Sequence, residues 1–320
     1  GILLTGCGGS SSTSTDTGTN TINVSIPFQA VAGSEKIACG KTIANLGVDS
    51  TSVKIADFRM FVHDIKLITD QGREIPVSLD ASQPSQNSDV VLLDFRDTAE
   101  GTSICPENNT VDTAKNPNYN NSVKGSVTID PAYTVSHIKF TLGVPSELNH
   151  ANPSELDHEN QPKVPEPLRN PGLATGMHWN WQGGYKFTAF DVLPTGGITR
   201  PSDSGFLSNK WNIHLGSTGC SVSTTELNEG NEAEACAAPN RAEVILPIGA
   251  YNLNNLAIQL NYAAVIANNS LALDEGVKSG CMSFAGDPEC KEVFEAFGLP
   301  WENNSVVEQT VFSIVDRAEN

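Results

Sequence analysis

The sequence predicts an all-β fold, an antiparallel sandwich or barrel with long loops and one short helix near the C-terminus. Most of its apolar segments are short and alternate with period two, as strands with one buried face do. Gly, Pro, Asn or Asp ends most of these segments. The chain also holds seven cysteines, six of which form an even set that can staple the loops together.

Nine segments carry the strand pattern. In chain order they are 22–30, 58–67, 90–95, 125–129, 136–142, 185–190, 210–215, 242–248 and 256–262. In segment 58–67 the apolar parity includes His63 beside Phe61 and Ile65, which predicts a histidine on the inner face. In segment 210–215, His214 points from the face opposite the apolar one. The pattern therefore predicts one inward and one outward histidine on two different strands.

The helix is predicted after residue 286. Asp287 can cap its start, and Pro288 suits the first turn. An apolar stripe runs to Phe297, and Gly298 then ends the helix. No other segment shows a clear helical period, so the fold class stays all-β.

Cysteine spacing favours three disulfides. Six cysteines permit many pairings, and the sequence does not choose among them strictly. Short separations favour Cys220–Cys236 and Cys281–Cys290, which leaves Cys39–Cys105. A metal site built on cysteines is the alternative, but the chain has no C-x-x-C motif. Disulfides are in turn typical of an exported protein.

The N-terminal residues predict a lipid anchor. Leu4, Thr5 and Gly6 precede Cys7 in the pattern of a bacterial lipobox, after what resembles the end of a signal peptide. Residues 8–20 are polar and rich in Ser, Thr and Gly, as a flexible tether is. We therefore expect residues 1–20 to be leader, lipidated Cys7 and tether, and residues 21–320 to form a single β domain. The expected location is the periplasm or the cell surface.

The net charge of the chain limits the classes of partner that we expect. Lys and Arg number 19 against 37 Asp and Glu, for a net charge of −18. Such a chain is a poor ligand for nucleic acid or for an anionic membrane surface. No apolar run is long enough to span a bilayer. The expected membrane contact is therefore the lipid anchor alone.

Signatures of catalysis are absent from the sequence. It contains no G-x-S-x-G, H-E-x-x-H, P-loop or G-x-G-x-x-G motif, which disfavours a secreted hydrolase and predicts a non-enzymatic protein. Segment 146–176 is long, polar and without periodicity, which favours a binding loop. Glu155, Asp157 and Glu159 within it are read first as a solvated acidic loop, with a calcium site as the alternative.

Residues 176–191 contain the densest group of candidate functional side chains. His178, Trp179 and Trp181 stand within four positions there, in a chain with six histidines and four tryptophans. In an extended segment the two tryptophans face one way and His178 faces the other. The simplest interpretation is that the tryptophans fill part of the hydrophobic core and that His178 lies at the surface. Imidazole is also a common ligand for copper, and His150 and His214 are the most ligand-like of the remaining histidines.

Several strings in this chain resemble the MbnP-like family, also called the metallo-mystery-pair four-Cys family. In chain order they are FRMFV at 58–62 with IKL at 65–67, VLLDF at 91–95, FTLGVP at 140–145 before LNH at 148–150, MHWNWQGGYKF at 177–187, HLGSTGC at 214–220 and CAAPNR at 236–241. Each string alone is weak evidence. HLGSTGC and W-x-W-Q-x-G-Y-K in the family's order make the match specific.

The resemblance implies an exported copper-binding protein. In such proteins two histidines and a kynurenine hold copper, and a di-haem partner resembling cytochrome c peroxidase oxidises the tryptophan that becomes kynurenine. Carried over by position, His150 and His214 are the preferred ligands, and Trp179 or Trp181 is the residue oxidised. His63 and His178 are additional candidates. The four family cysteines correspond to Cys39, Cys105, Cys220 and Cys236.

Two function hypotheses from different classes follow. The first is a copper lipoprotein that binds Cu(I) and is matured by the di-haem cytochrome. The second is a recognition module that binds a glycan or a protein through the 146–176 loop, which its length and polarity favour. Binding that survives His150→Ala and His214→Ala without any effect of metal would favour the second.

Overall fold

The computed structural model describes residues 18–98, 105, 116–180, 183–221 and 235–317. Over these ranges the chain is built mainly of strands, with two short α-helices. The fold class is therefore all-β, as the period-two pattern predicts. No helix in the described ranges is long and apolar enough to cross a membrane.

The strands follow one another along the whole described chain. They are β1 (Asn20–Ala32), β2 (Glu35–Lys36), β3 (Thr42–Leu46), β4 (Thr51–Thr69), β5 (Glu74–Pro76), β6 (Ser78–Leu79), β7 (Val91–Asp94), β8 (Ser122–Ile129), β9 (Val135–Leu142), β10 (His178–Asn180), β11 (Gly184–Tyr185), β12 (Thr188–Pro194), β13 (Ile198–Arg200), β14 (Asp203–Ser208), β15 (Trp211–Ile213), β16 (Thr218–Cys220), β17 (Cys236–Ala238), β18 (Ala242–Pro247), β19 (Leu256–Asn261), β20 (Gly280–Cys281) and β21 (Phe312–Asp316).

Two large sheets and three ribbons hold these strands. One sheet has six strands, in the order β21-β19-β1-β8-β6 with β2 paired to β1. The other has nine, in the order β18-β9-β4-β12-β15-β20, with β3, β5 and β7 also paired to the long strand β4. Separate two-stranded ribbons are formed by β10 with β11, β13 with β14, and β16 with β17.

Aromatic side chains join the two sheets face to face. Phe28 of β1 meets Phe140 of β9 edge-on, with ring centroids 5.5 Å apart. Phe140 in turn contacts Phe312 of β21 at 5.2 Å. Edge-to-face pairs of this kind stabilise by about 1 kcal/mol beyond the area that they bury. The core therefore lies between the sheets, as in a sandwich.

The sheets are mixed rather than antiparallel throughout, which corrects the sequence prediction. β1 pairs with β19 in parallel, and β15 pairs with β20 in parallel. The first pair joins strands at opposite ends of the chain. Parallel neighbours need a long connection, and sequence periodicity carries no information about strand direction.

The predicted helix is present as α2 (Cys290–Ala296), with Gly298 at a φ of 69° just beyond it. A second helix, α1 (Tyr262–Val265), follows β19 directly and is capped by Asn261, whose side chain accepts the Ala263 N–H. The expectation of one helix is therefore incomplete. α1 is a single turn, too short to show a helical period.

Predicted strands differ from observed ones at two places. Segment 185–190 is divided into β11 and β12, because the Phe187 N–H donates to Leu215 O at 2.6 Å between them. β4 does not keep one buried and one outer face along its length: its middle is buried on both sides, including Asp57 and Arg59. On one face of this part Phe58 packs against Tyr262 of α1, and on the other Arg59 donates to Leu173 O of the 146–176 segment.

The disulfide prediction is confirmed. The structure pairs Cys39 with Cys105, Cys220 with Cys236 and Cys281 with Cys290. The Cys281–Cys290 bridge joins β20 to the first residue of α2. The Cys220–Cys236 bridge instead joins the paired strands β16 and β17.

Candidate metal centre

The long segment 146–176 is folded against the body of the protein. The Tyr185 hydroxyl donates to Leu168 O at 2.7 Å, and Arg59 donates to Leu173 O at 3.1 Å. Leu168 sits in a 3-10 turn, Glu166–Leu168, and is fully buried. His150, at the start of the segment, is also fully buried. The loop therefore holds His150 in a fixed place.

Asn149 orients the residues around His150. Its side-chain oxygen accepts the Tyr185 N–H at 3.0 Å. Gly184 follows the ribbon turn with a φ of 71°, and a Cβ at that position would press into Asn149. Only glycine has both the conformational freedom and the small size for this contact. The Gly-Tyr part of the string WQGGYK thus places β11 directly beside His150.

His178 faces the same region from β10. It stands opposite Tyr185 in the ribbon, and the two rings meet edge-on with centroids 4.8 Å apart. Its Nε2 is buried and has no hydrogen-bond partner among the described residues. Burial lowers the pKa of His178 to about 4, with smaller contributions from the charges of His150 and Lys186. His178 is therefore a neutral imidazole with a buried, unpaired nitrogen close to His150.

A disulfide completes the surroundings of His150. Its Nε2 lies 3.8 Å from Cys236 Sγ and 3.5 Å from the Asn149 side-chain nitrogen. The ligand atoms of His150, Cys220 and Cys236 all lie within 4.8 Å of one another. The two sulfurs are bonded to each other, and the metal ligand is the thiolate. The imidazoles are therefore the ligands that the oxidised protein offers.

Trp179 stands next to this pair of histidines. Its ring lies on Gly216, where a Cβ would collide with the indole, and it contacts Phe284 at a centroid distance of 5.6 Å. Its Nε1 is buried without a hydrogen-bond partner among the described residues. Trp181, the other candidate for oxidation, lies outside the described residues. Gly216 belongs to the string HLGSTGC, so two of the resembling strings meet at the Trp179 ring.

His214 lies in a different environment. Its Nε2 is 2.8 Å from Asp191 Oδ1, and both side chains are buried. Its Nδ1 is buried with no partner in the described part of the chain. A pocket of about 530 Å³ is lined by His214, Asp191, Trp179 and Lys186, but not by His150 or His178. The structure thus brings His150 near His178, and it places His214 beside a carboxylate in a pocket that Trp179 also lines.

A buried charge network extends from the His214 side. Arg59 donates to both oxygens of Asp57, at 2.7 and 2.5 Å, and Arg96 donates to Asp94 in the same way. Burial opposes ionisation of Asp57, but the charges and hydrogen bonds of Arg59, with Arg96 and His214, hold its pKa below the usual value. These pairs give His214 a strongly ionic setting.

His63 lies elsewhere. Its Nδ1 is 2.8 Å from Gly143 O, and it lines another pocket of about 490 Å³ with Asp64 and Glu147. Burial lowers its pKa. No contact joins it to His150, His178 or His214 in the described ranges, so its role as a ligand stays a prediction without geometric support.

The acidic loop is engaged in local contacts. Glu155 forms an ion pair with Lys163 at 2.6 Å, and Asp157 accepts the backbone N–H groups of Glu159 and Gln161. Among the described residues these carboxylates form no converging group of three ligands. The calcium alternative therefore has no support here, and the interpretation as a solvated loop is sufficient.

Sequence reasoning did not find the residues that orient the site. Asn149 was present only as part of the string LNH, and Asp191 closed the stretch 176–191 without a role. Asp57 and Arg59 stand two residues apart on β4 and share one face. That spacing of opposite charges in an apolar strand is a signal for a buried ion pair, and it was available from the sequence.

The fold and site define a class: a disulfide-stapled β-sandwich protein with two neighbouring histidines and a half-buried tryptophan. The chain belongs to the MbnP family, whose sequence profile matches residues 21–283. Its structure is similar to that of MbnP from Methylosinus trichosporium, with a TM-score of 0.75 and 28% identity over 93% of this chain and 100% of that one. No curated protein matches the chain. The resemblance to the MbnP-like family is thereby confirmed.

Proposed function

We propose that this protein binds copper as Cu(I) through His150 and His178, with a kynurenine derived from Trp179 or Trp181 as the third ligand. The observation that carries the proposal is the buried, unpaired Nε2 of His178 beside His150. A buried polar atom without a partner costs roughly 1–3 kcal/mol, and a metal ion would relieve that cost. Membership of the MbnP family supports the same function.

The chemistry of the donors suits this ion. A neutral imidazole binds copper without first losing a proton, and the low pKa of His178 keeps it neutral at physiological pH. The two rings contact Asn149, Tyr185 and Cys236. Imidazole nitrogen is better matched to copper than to calcium or magnesium, which prefer oxygen ligands.

We further propose that Trp179 or Trp181 is oxidised to kynurenine by a di-haem cytochrome partner. The position of Trp179 supports this, since it follows His178 in β10 and its indole nitrogen is buried without a partner among the described residues. The aromatic amine of kynurenine would supply a third nitrogen donor. In this proposal the di-haem cytochrome carries out the oxidation, and this protein is its substrate.

The proposal includes export and lipid anchoring through Cys7. It rests on the residues Leu4–Cys7 and on the three disulfides, which suit an oxidising compartment. Residues 1–17 lie outside the described residues. Mass spectrometry of the mature N-terminus tests this part, and an unmodified Cys7 in protein made by its own host would reject it.

Metal content after anaerobic Cu(I) loading tests the central proposal. The protein as matured with its partner should retain one copper per chain, and His150→Ala and His178→Ala should each lose it. His158→Ala is the matched control, because His158 lies in the same loop with its side chain 90% exposed. Wild-type protein without stoichiometric copper would overturn the proposal.

Peptide mass spectrometry across residues 176–191 tests the oxidation separately. Protein produced together with the di-haem cytochrome should carry kynurenine at Trp179 or Trp181, and protein produced alone should not. Unmodified tryptophan at both positions in co-produced protein would remove the kynurenine from the proposal and leave the two histidines.

A further inference from the structure

The three disulfides differ in their access to solvent. Cys39–Cys105 and Cys281–Cys290 are buried at both ends. Cys220 and Cys236 are both half-buried. Exposed disulfides are the ones that exchange with other thiols, because the attacking thiolate must reach a sulfur along the S–S axis. Cys220–Cys236 is therefore the bond that a reductant would attack first.

The same disulfide is the one with a histidine beside it. Cys220 and Cys236 stand directly opposite each other on β16 and β17. Their sulfurs and the nearer nitrogen of His150 all lie within 4.8 Å of one another, and Cys236 Sγ is 3.8 Å from His150 Nε2. Among the described residues, neither of the other disulfides belongs to such a group.

We propose that reduction of Cys220–Cys236 creates a Cys₂His site that binds Cu(I) through two thiolates and His150. Thiolate sulfur is the protein ligand best matched to a soft ion such as Cu(I). Zn²⁺ also accepts thiolates but takes four ligands in structural sites, whereas three donors suffice for Cu(I). The inference shares His150 with the proposed copper function and otherwise uses different ligands.

The reaction is balanced by an external dithiol. A dithiol donates two electrons and two protons and becomes a disulfide, while the Cys220–Cys236 bond breaks to give two thiols. Binding of Cu(I) then releases both thiol protons to solvent. Two thiolates and one Cu(I) leave a single negative charge, and the neutral imidazole of His150 completes the set.

The backbone around the disulfide would keep the sulfurs together after reduction. The Ser221 N–H donates to Ala235 O at 2.8 Å at one end of the ribbon. At the other end Ser217 Oγ donates to Pro239 O at 2.7 Å, and Asn240 Nδ2 donates to Gly216 O at 2.8 Å. These bonds do not depend on the S–S bond, so the two cysteines stay opposite each other.

Anaerobic Cu(I) competition with a chromogenic chelator tests the proposal. The full chain is treated with a water-soluble phosphine, desalted, and checked by alkylation mass spectrometry for reduction at Cys220 and Cys236 alone. We expect reduction to raise the Cu(I) affinity by at least roughly tenfold and X-ray absorption to show sulfur ligands. Cys220→Ser/Cys236→Ser should show no gain on the same treatment.

The oxidised wild-type protein is the second control, because it needs no substitution and cannot fail to fold. Equal Cu(I) affinity in the two redox states, or a copper shell without sulfur in the reduced state, would overturn the proposal. Failure of the proposed function looks different: the oxidised protein would then bind no copper while the reduced protein still gained its site. His150→Gln should remove the nitrogen ligand from the copper site of the reduced protein and leave its two sulfur ligands.

Discussion

His178 and His214 both lie near Trp179 but in opposite electrostatic settings. His178 packs against Tyr185 near His150, and its Nε2 is buried without a described partner. His214 is bound at 2.8 Å by Asp191 and lies close to the Asp57–Arg59 pair. One imidazole is kept neutral by burial, and the other is held by charge.

This difference separates two tasks that a histidine performs. A neutral ring with an unpaired nitrogen has capacity left for a ligand, whereas a ring held by a carboxylate has one nitrogen already committed. Metal-bound histidines commonly donate their other nitrogen to a carboxylate, so His214 keeps one ligand position, at Nδ1. Four experiments test this difference between His178 and His214.

The largest expected effect is a loss of folding stability when the buried ion pair of Asp57 and Arg59 is broken. Arg59→Met removes both hydrogen bonds to buried Asp57 and the donor to Leu173 O in the 146–176 segment. Leaving a buried carboxylate without its partner costs about 3–5 kcal/mol. Chemical denaturation should report this loss. Lys54→Met, on an exposed position of the same strand, should change the free energy of unfolding little; equal effects would mean that the network contributes no stability.

The second effect separates the two histidines by copper affinity. His178→Ala should lower Cu(I) affinity by roughly a hundredfold, about 2.7 kcal/mol, with little change in the unfolding free energy. His214→Ala should instead leave Asp191 buried without its partner and cost about 1–3 kcal/mol of stability. Chelator competition and denaturation on the same samples measure both. Loss of copper at unchanged stability in His214→Ala would make His214 the ligand and break the comparison.

The third effect concerns Trp179, which follows His178 in β10 and lines the pocket that contains His214. Gly216→Ala places a Cβ inside the Trp179 ring, which must move from its present position. Overpacking of this kind costs about 1–3 kcal/mol. Near-ultraviolet circular dichroism should change, and copper retention should fall. Gly276→Ala is the control, since its Cβ would meet Pro288 at an ordinary 3.8 Å.

The smallest effect is a titration. In metal-free protein the His178 imidazole should titrate near pH 4, because burial disfavours its charged form. Between the usual histidine pKa near 6.5 and this lower value, the unfolded chain binds a proton that the native chain does not. The contribution of His178 to the free energy of unfolding is therefore complete above about pH 6.5 and is lost as the pH falls toward 4. NMR titration measures the pKa, and a value near 6.5 would show an open, solvated ring.

Much of the fold was available from local pattern. Alternation located the strands, as in β9 and β18, whose predicted segments differ from the observed bounds by one residue. Short cysteine separations located two disulfides, and the third followed from them. Periodicity failed at α1, which is one turn long, and at β4, whose middle is buried on both faces. In both places tertiary packing outweighs the local pattern.

The all-β class, the family resemblance and the residue types for a copper site can all be predicted from the amino-acid sequence. Which of these residues come together depends on the three-dimensional fold. His150 lies beside Cys236, which is 86 residues further along the chain, and His214 lies beside Asp191. The physical reason is that local alternation reports which face of a strand is buried, whereas a site is assembled from strand order and loop packing across the whole fold. Those long-range contacts place His178 near His150 and place His214 within hydrogen-bond distance of Asp191.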